Sequence, residues 1–273
     1  MSNQCFSFGA GAAALLGCLL VPLGCASPAA KPEADKTTQQ TAKTSAAVRD
    51  IDPRAADVLK RMSETLKNAT TFKFRAITFS DEMLPSGLTV QHDKAGEITV
   101  RRPDGLRLEF TKRGDKRLLV YDGTTVTLAD LERNFYATRK APSNLDAVLD
   151  MLQERLGLTM PMADLIFSDP YNVLTERAMA GSYLGKTSIL GTGVHHLIFS
   201  QPGLDWQIWI EDTERALPRR MVLTYVEEEG QPRYTVTLSN WELEPALSDE
   251  TFVYAPAEGA EQIEFLPVTR DQE

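Results

Sequence analysis

The chain has 273 residues, a formal net charge of −9 and a pI near 5.0. That balance speaks against a nucleic-acid partner, which needs a basic patch to engage phosphates. The three cysteines, Cys5, Cys18 and Cys25, all fall near the start, so the rest of the chain has no thiol for a disulfide, a metal site or a nucleophile.

No Lys, Arg, Asp or Glu occurs before Lys31, and residues 6–24 are mainly Ala, Gly, Leu, Val and Phe. This is the apolar run of an export signal, predicted over 1–24. Gly24-Cys25 is a small residue followed by cysteine, the pattern that lipoprotein processing recognises, so Cys25 is the expected lipidation site. Leu15-Leu16-Gly17-Cys18 is a competing box, and plain signal cleavage near Ala26–Ala30 is a third outcome. Cys25 is preferred because apolar character stops directly after it, whereas Cys18 is followed by Leu19-Leu20-Val21. Residues 25–50 have no aromatic and are rich in Ala, Thr, Lys, Gln and Ser. Such a segment buries too little apolar surface to offset its ordering entropy, and a disordered tether is expected there.

From 51 to 267 the pattern is that of one folded domain, with 268–273 as a tail. Asp52-Pro53 offers an N-cap and a first-turn proline, and Val58, Leu59, Met62 and Leu66 follow at helical spacing. The period then changes to two. Phe72, Phe74 and Ala76 alternate with Lys73, Arg75 and Ile77, and short β-type runs follow at 97–102, 106–111, 117–121 and 124–128. Asp104-Gly105 and Asp122-Gly123 punctuate them as hairpin turns. A helical insertion comes next. Asn144 can cap a segment carrying Leu145, Val148, Leu149, Leu152 and Leu156, ended by Gly157, and a second helical stretch is expected over 163–175, interrupted at Pro170. Strands resume at 185–190, 195–200, 206–211, 219–227 and 233–241. Helix, meander, helices, meander is the order of an α+β domain: one large curved antiparallel sheet with helices against one face.

Several stretches carry a resemblance: Val100-Arg101-Arg102-Pro103-Asp104-Gly105-Leu106-Arg107, Tyr121-Asp122-Gly123, Asn134-Phe135-Tyr136-Ala137, Asp205-Trp206-Gln207-Ile208-Trp209-Ile210-Glu211 and Leu217-Pro218-Arg219-Arg220. They resemble an uncharacterised family of predicted periplasmic proteins, and the order of elements resembles the lipoprotein carriers LolA and LolB and the sensor RseB. The resemblance implies an unclosed half-barrel whose concave face is covered by helices and holds an acyl chain. It also implies outer-membrane residence facing the periplasm, because Ala26 is not the Asp that marks inner-membrane retention in resembling lipoproteins.

Candidate chemistry is sparse. His195 and His196 are adjacent, so as ordinary strand histidines they face opposite sides, and His92 is remote; no metal site, cofactor motif or catalytic set is expected. Trp206, Ile208 and Ile210 share one strand face, with comparable stripes at Met221, Leu223 and Tyr225 and at Tyr234, Val236 and Leu238. Each could be plain core. Together with Phe74 they are the candidate lining of an apolar cavity: Phe74, Trp206, Ile208, Ile210, Tyr225 and Tyr234. Met151, Met160 and Met162 in the insertion add adaptable side chains. The expected function is a non-enzymatic envelope protein, held to a membrane by an N-terminal lipid anchor and binding a hydrophobic ligand or lipoprotein. The alternative is a sensor of the RseB type that binds polypeptide and signals to an envelope partner.

Overall fold

Asp52 does start the first helix, as its chemistry predicts. In the computed structural model its carboxylate accepts the Arg54 backbone N–H at 2.8 Å, and Pro53 takes the first helical position. Helix α1 (Pro53–Asn68) buries Ala55, Val58, Leu59, Met62, Ser63 and Leu66 along one stripe. The structure describes residues 49–112, 114–156, 160 and 162–265. The signal, Cys18, Cys25, most of the tether, Gly157 and the tail therefore lie outside the described residues. Arg49 and Asp50 are described. Arg49 Nη2 donates to the Glu176 carbonyl at 2.7 Å, and β1 (Asp50–Ile51) pairs with Ala180 and Gly181.

The remaining strands are β2 (Thr71–Met83), β3 (Thr89–Arg101), β4 (Gly105–Lys112), β5 (Asp115–Tyr121), β6 (Thr125–Asp130), β7 (Phe135–Lys140), β8 (Ala180–Ile189), β9 (Thr192–Gln201), β10 (Leu204–Glu211), β11 (Pro218–Tyr225), β12 (Arg233–Leu243) and β13 (Glu261–Gln262). All 13 form one sheet in the order β1-β8-β9-β10-β11-β12-β2-β3-β4-β5-β6-β7-β13. Its two ends do not meet, so the sheet is unclosed. Two meanders, β2–β7 and β8–β12, are joined side by side where β12 pairs with β2. A bulge between Ser239 and Glu242 interrupts that seam.

The α+β class holds, with three corrections of detail. The sheet is not wholly antiparallel: β1 pairs with β8, and β13 with β7, in parallel. These edge strands are two residues long and carry no periodic signal. Strand β7 was not foreseen, because only Ala137 in it is fully buried and no apolar alternation results. The stretch 163–175 is not one interrupted helix but a 3-10 turn (Ala163–Leu165) and a separate α3 (Pro170–Thr175), which the Asp169 side chain caps.

Register places Phe72, Phe74 and Ala76 of β2, Ile98 and Val100 of β3, and Leu106 and Leu108 of β4 on one face. Leu119 and Tyr121, then Leu197 and Phe199, Trp206, Ile208 and Ile210, Met221 and Leu223, and Val236 and Leu238 continue it. These residues and the stripes of α1 and α2 (Leu145–Leu156) belong to one hydrophobic core. The helical insertion is tied to the sheet at one end of β2–β5. Leu145 N–H donates to Pro103 O at 2.8 Å, Tyr121 hydroxyl to Pro142 O at 2.7 Å, and Arg102 Nη2 to Phe167 O at 2.9 Å. A small second cluster of Leu118, Val120 and Ala129 with Tyr136 and Tyr254 lies on the opposite face. No helix among the described residues is long and apolar enough to cross a membrane.

Candidate functional site

The period-two stripes of β9 and β10 put their large side chains under α1. Trp206 is 2% exposed and stacks on Phe199 at 4.1 Å between ring centroids, 14° from parallel. Ile208 and Ile210 beside it are fully buried. Gly181 on β8 makes this stack possible: a Cβ there would stand 2.6 Å from the Phe199 ring. Phe74 is 2% exposed and stacks on Trp241 at 4.3 Å, and Trp241 Nε1 donates to Pro218 O at 2.9 Å. Four of the candidates, Phe74, Trp206, Ile208 and Ile210, are therefore closely packed in one core.

Tyr225 and Tyr234 sit differently. Both are half-buried, on neighbouring strands β11 and β12, and Leu204 of β10 lies opposite Tyr225 in the register. Burial raises both phenols above the ordinary tyrosine range, Tyr234 the more strongly. With Leu204 they form a rim where the apolar core reaches solvent, and Phe110 of β4, three strands from Tyr234, is likewise half-buried against the core. Two open clefts lie elsewhere. One, of about 680 Å³, is bounded by Thr138, Arg139 and residues 262–265; the other, of about 450 Å³, lies between β7 and α2. Neither is lined by any of the six candidates.

One cluster was missed by the sequence reading. His195, expected as an ordinary strand histidine, is 6% exposed and faces the helices. Its Nδ1 lies 2.9 Å from the Tyr183 hydroxyl and its Nε2 2.9 Å from Asp212 Oδ1, with Arg61 Nη2 of α1 at 3.5 Å. Lys186 holds Asp212 at 2.6 Å, and the Arg54 guanidinium lies over the Tyr183 ring. Desolvation lowers the His195 imidazole below its usual range; Asp212 opposes this while Arg61 and Lys186 assist it. The network pins α1 to β8 and β9. Its only legible signal was strand phase, which turns His195 inward and His196 outward, where His196 stacks on Trp209 at 4.1 Å. Among the described residues no group of three or more His, Cys, Asp or Glu is placed to hold a metal.

The family model described as "Predicted periplasmic protein (DUF2092)" matches residues 55–266. No curated protein matches the chain. Among solved structures, an uncharacterized conserved protein from Thermus thermophilus is similar at 10% identity and TM-score 0.44, covering 77% of this chain and 99% of that one. The Mycobacterium tuberculosis lipoprotein LppX is similar at 14% identity and TM-score 0.41, covering 72% and 98%. A LolA superfamily protein from Nitrosomonas europaea is similar at 12% identity and TM-score 0.33, covering 73% and 97%.

Proposed function

The chain belongs to that family of predicted periplasmic proteins, and from this premise we propose that it is a non-enzymatic binding protein that takes an acyl chain of a lipid or lipoprotein against the inner face of its sheet. The observation that carries this reading is the rim. A continuous apolar face runs beneath the helices, and at Leu204, Tyr225, Tyr234 and Phe110 it is left half-open to solvent. An acyl chain entering there gains about 0.8 kcal/mol per methylene buried. Deeper entry toward Trp206, Ile208 and Ile210 requires α1 to move, since that part of the face is filled. Phe74, Trp206, Ile208 and Ile210 are then the deep wall, and Tyr225 and Tyr234 the entrance.

The proposal includes a lipid anchor at Cys25 and residence at the outer membrane, supported by the apolar run 6–24 and by Ala26. Metabolic labelling with a fatty acid checks the anchor; label surviving Cys25→Ser moves it to Cys18. The binding reading is tested by mass spectrometry of an organic extract of the purified protein. Acyl lipid at a molar ratio near one is the expected result. A lipid-free protein that also fails to take up a fluorescent fatty acid overturns it, and capture of polypeptide instead would identify a sensor.

A further inference from the structure

The inner face is not apolar throughout. Beyond Gly96 and Phe110, which pair across β3 and β4, the same face continues to Lys94 and Lys112. One strand further, Arg117 of β5 pairs with Phe110 and shares that face. Lys94 pairs on its other side with Thr78 of β2, which pairs with Val236 of β12, one step from Tyr234. Three cations thus line the face, the two lysines one step beyond Phe110 and one step short of the Tyr234 row, with Asp115 opposite Lys112 and Asp130 opposite Arg117, in a chain of net charge −9.

The carboxylates nearby are already engaged. Asp115 and Asp130 both pair with Arg133, at 3.8 and 2.7 Å, and Asp130 also pairs with Arg117 at 3.8 Å. Glu82 is taken by His92 at 2.6 Å. Among the described residues neither Lys94 nor Lys112 has a carboxylate within ion-pair distance. Partial burial lowers the Lys94 ammonium from its ordinary range, and the like charges of Lys112 and Arg117 act in the same direction. A bound anion would oppose this lowering, because an opposite charge favours the protonated ammonium.

We propose that this end of the inner face is a headgroup site, where Lys94 and Lys112, flanked by Arg117, receive the phosphate of an anionic phospholipid whose acyl chain runs inward past Phe110. This rests on the acyl-binding reading above and names its ligand class. Charge complementarity decides for an anionic over a neutral lipid, and the adjoining half-buried Phe110 decides for a lipid over a free phosphate. Lys94 and Lys112 stand on neighbouring strands, each one residue beyond the Ala95–Thr111 pair, and alternation gives them the same face.

The test compares phosphatidylglycerol with phosphatidylcholine of identical chains, each presented in vesicles to the purified protein. The wild type is expected to prefer phosphatidylglycerol about tenfold, the worth of roughly one charge-assisted contact. The Lys94→Gln, Lys112→Gln double variant brings the two affinities together, while Lys94→Arg, Lys112→Arg keeps them apart; circular dichroism confirms that each variant folds. Equal wild-type affinities would overturn the headgroup site and leave the acyl-binding reading standing. No binding of either lipid would overturn that reading as well. Competition by glycerophosphoglycerol as strong as by the whole lipid would make this a phosphate site and also overturn the proposal.

Discussion

The two ends of the inner face are built from the same β-strand alternation, yet one is sealed and the other is open. Under α1, β8–β10 present Phe199, Trp206 and Ile208, each at most 2% exposed, and the His195–Tyr183–Asp212 network bonds the helix down. At the far end of β2–β5 the same face carries Lys94, Lys112 and Arg117, and half-buried Tyr225 and Tyr234 stand on β11 and β12. What covers a strand decides what the strand can carry. Where helices sit, apolar residues are free to fill the space; where none does, an apolar row would face water, and charge takes its place.

The contrast can be broken most directly at its sealed end. Trp206→Ala removes a stacked, buried indole and is expected to cost about 3–5 kcal/mol in denaturant unfolding. Tyr225→Ala at the rim is expected to cost about 1 kcal/mol. Equal losses would show that the two ends are packed alike. Gly181→Ala sharpens the comparison from the other side. Its added methyl meets the Phe199 ring and Ile51, and overpacking of this kind costs about 1–3 kcal/mol; an unchanged melting temperature would mean that the stack is not tight. Removing the cap of the covering helix, by Asp52→Ala, is expected to cost about 1 kcal/mol.

The smallest effect is on pH dependence. The folded state depresses the His195 imidazole below its unfolded value of about 6.5, so it favours the neutral ring. The unfolded chain then binds the extra proton first. Stability is therefore fully present above about pH 6.5 and declines as pH falls from there toward the folded value. Asp212 faces the ring as the opposing charge, while Arg61 and Lys186 add to the depression. Melting temperature followed from about pH 7.5 to about 5.5, a window set by that unfolded value, should fall, and His195→Asn should flatten that part of the curve. A wild-type profile parallel to that of the variant would remove the role given to His195.

Legibility in the sequence followed cover. Helix α1 was readable because Asp52-Pro53 and the 3.6-residue stripe state its start and its buried face together. Phe72, Phe74 and Ala76 were readable because that part of β2 has a core on one side only. The outer arms of β2 and β3, Thr78–Met83 and Thr89–Lys94, were not. Their inner face is polar, so no apolar alternation marks them as strands. For the same reason the Lys94–Lys112 pair was invisible: the two are far apart in the chain, and hairpin register alone makes them neighbours. The stripe of Trp206, Ile208 and Ile210 was legible as a shared face, but whether that face is hollow or filled depends on α1 and Gly181, which no single strand encodes.

The account's central claim, that an acyl chain lies on the inner face, is tested most directly with a brominated fatty-acyl lipid, which quenches only indoles that it touches. Trp206 and Trp241 belong to the inner core, whereas Trp209 stacks with His196 on the opposite face of β10. The Trp209→Phe variant reports from the inner face, and the Trp206→Phe, Trp241→Phe variant from the outer one. Strong quenching in the first and little in the second is the predicted result. Quenching confined to Trp209, or absent from both, would contradict it.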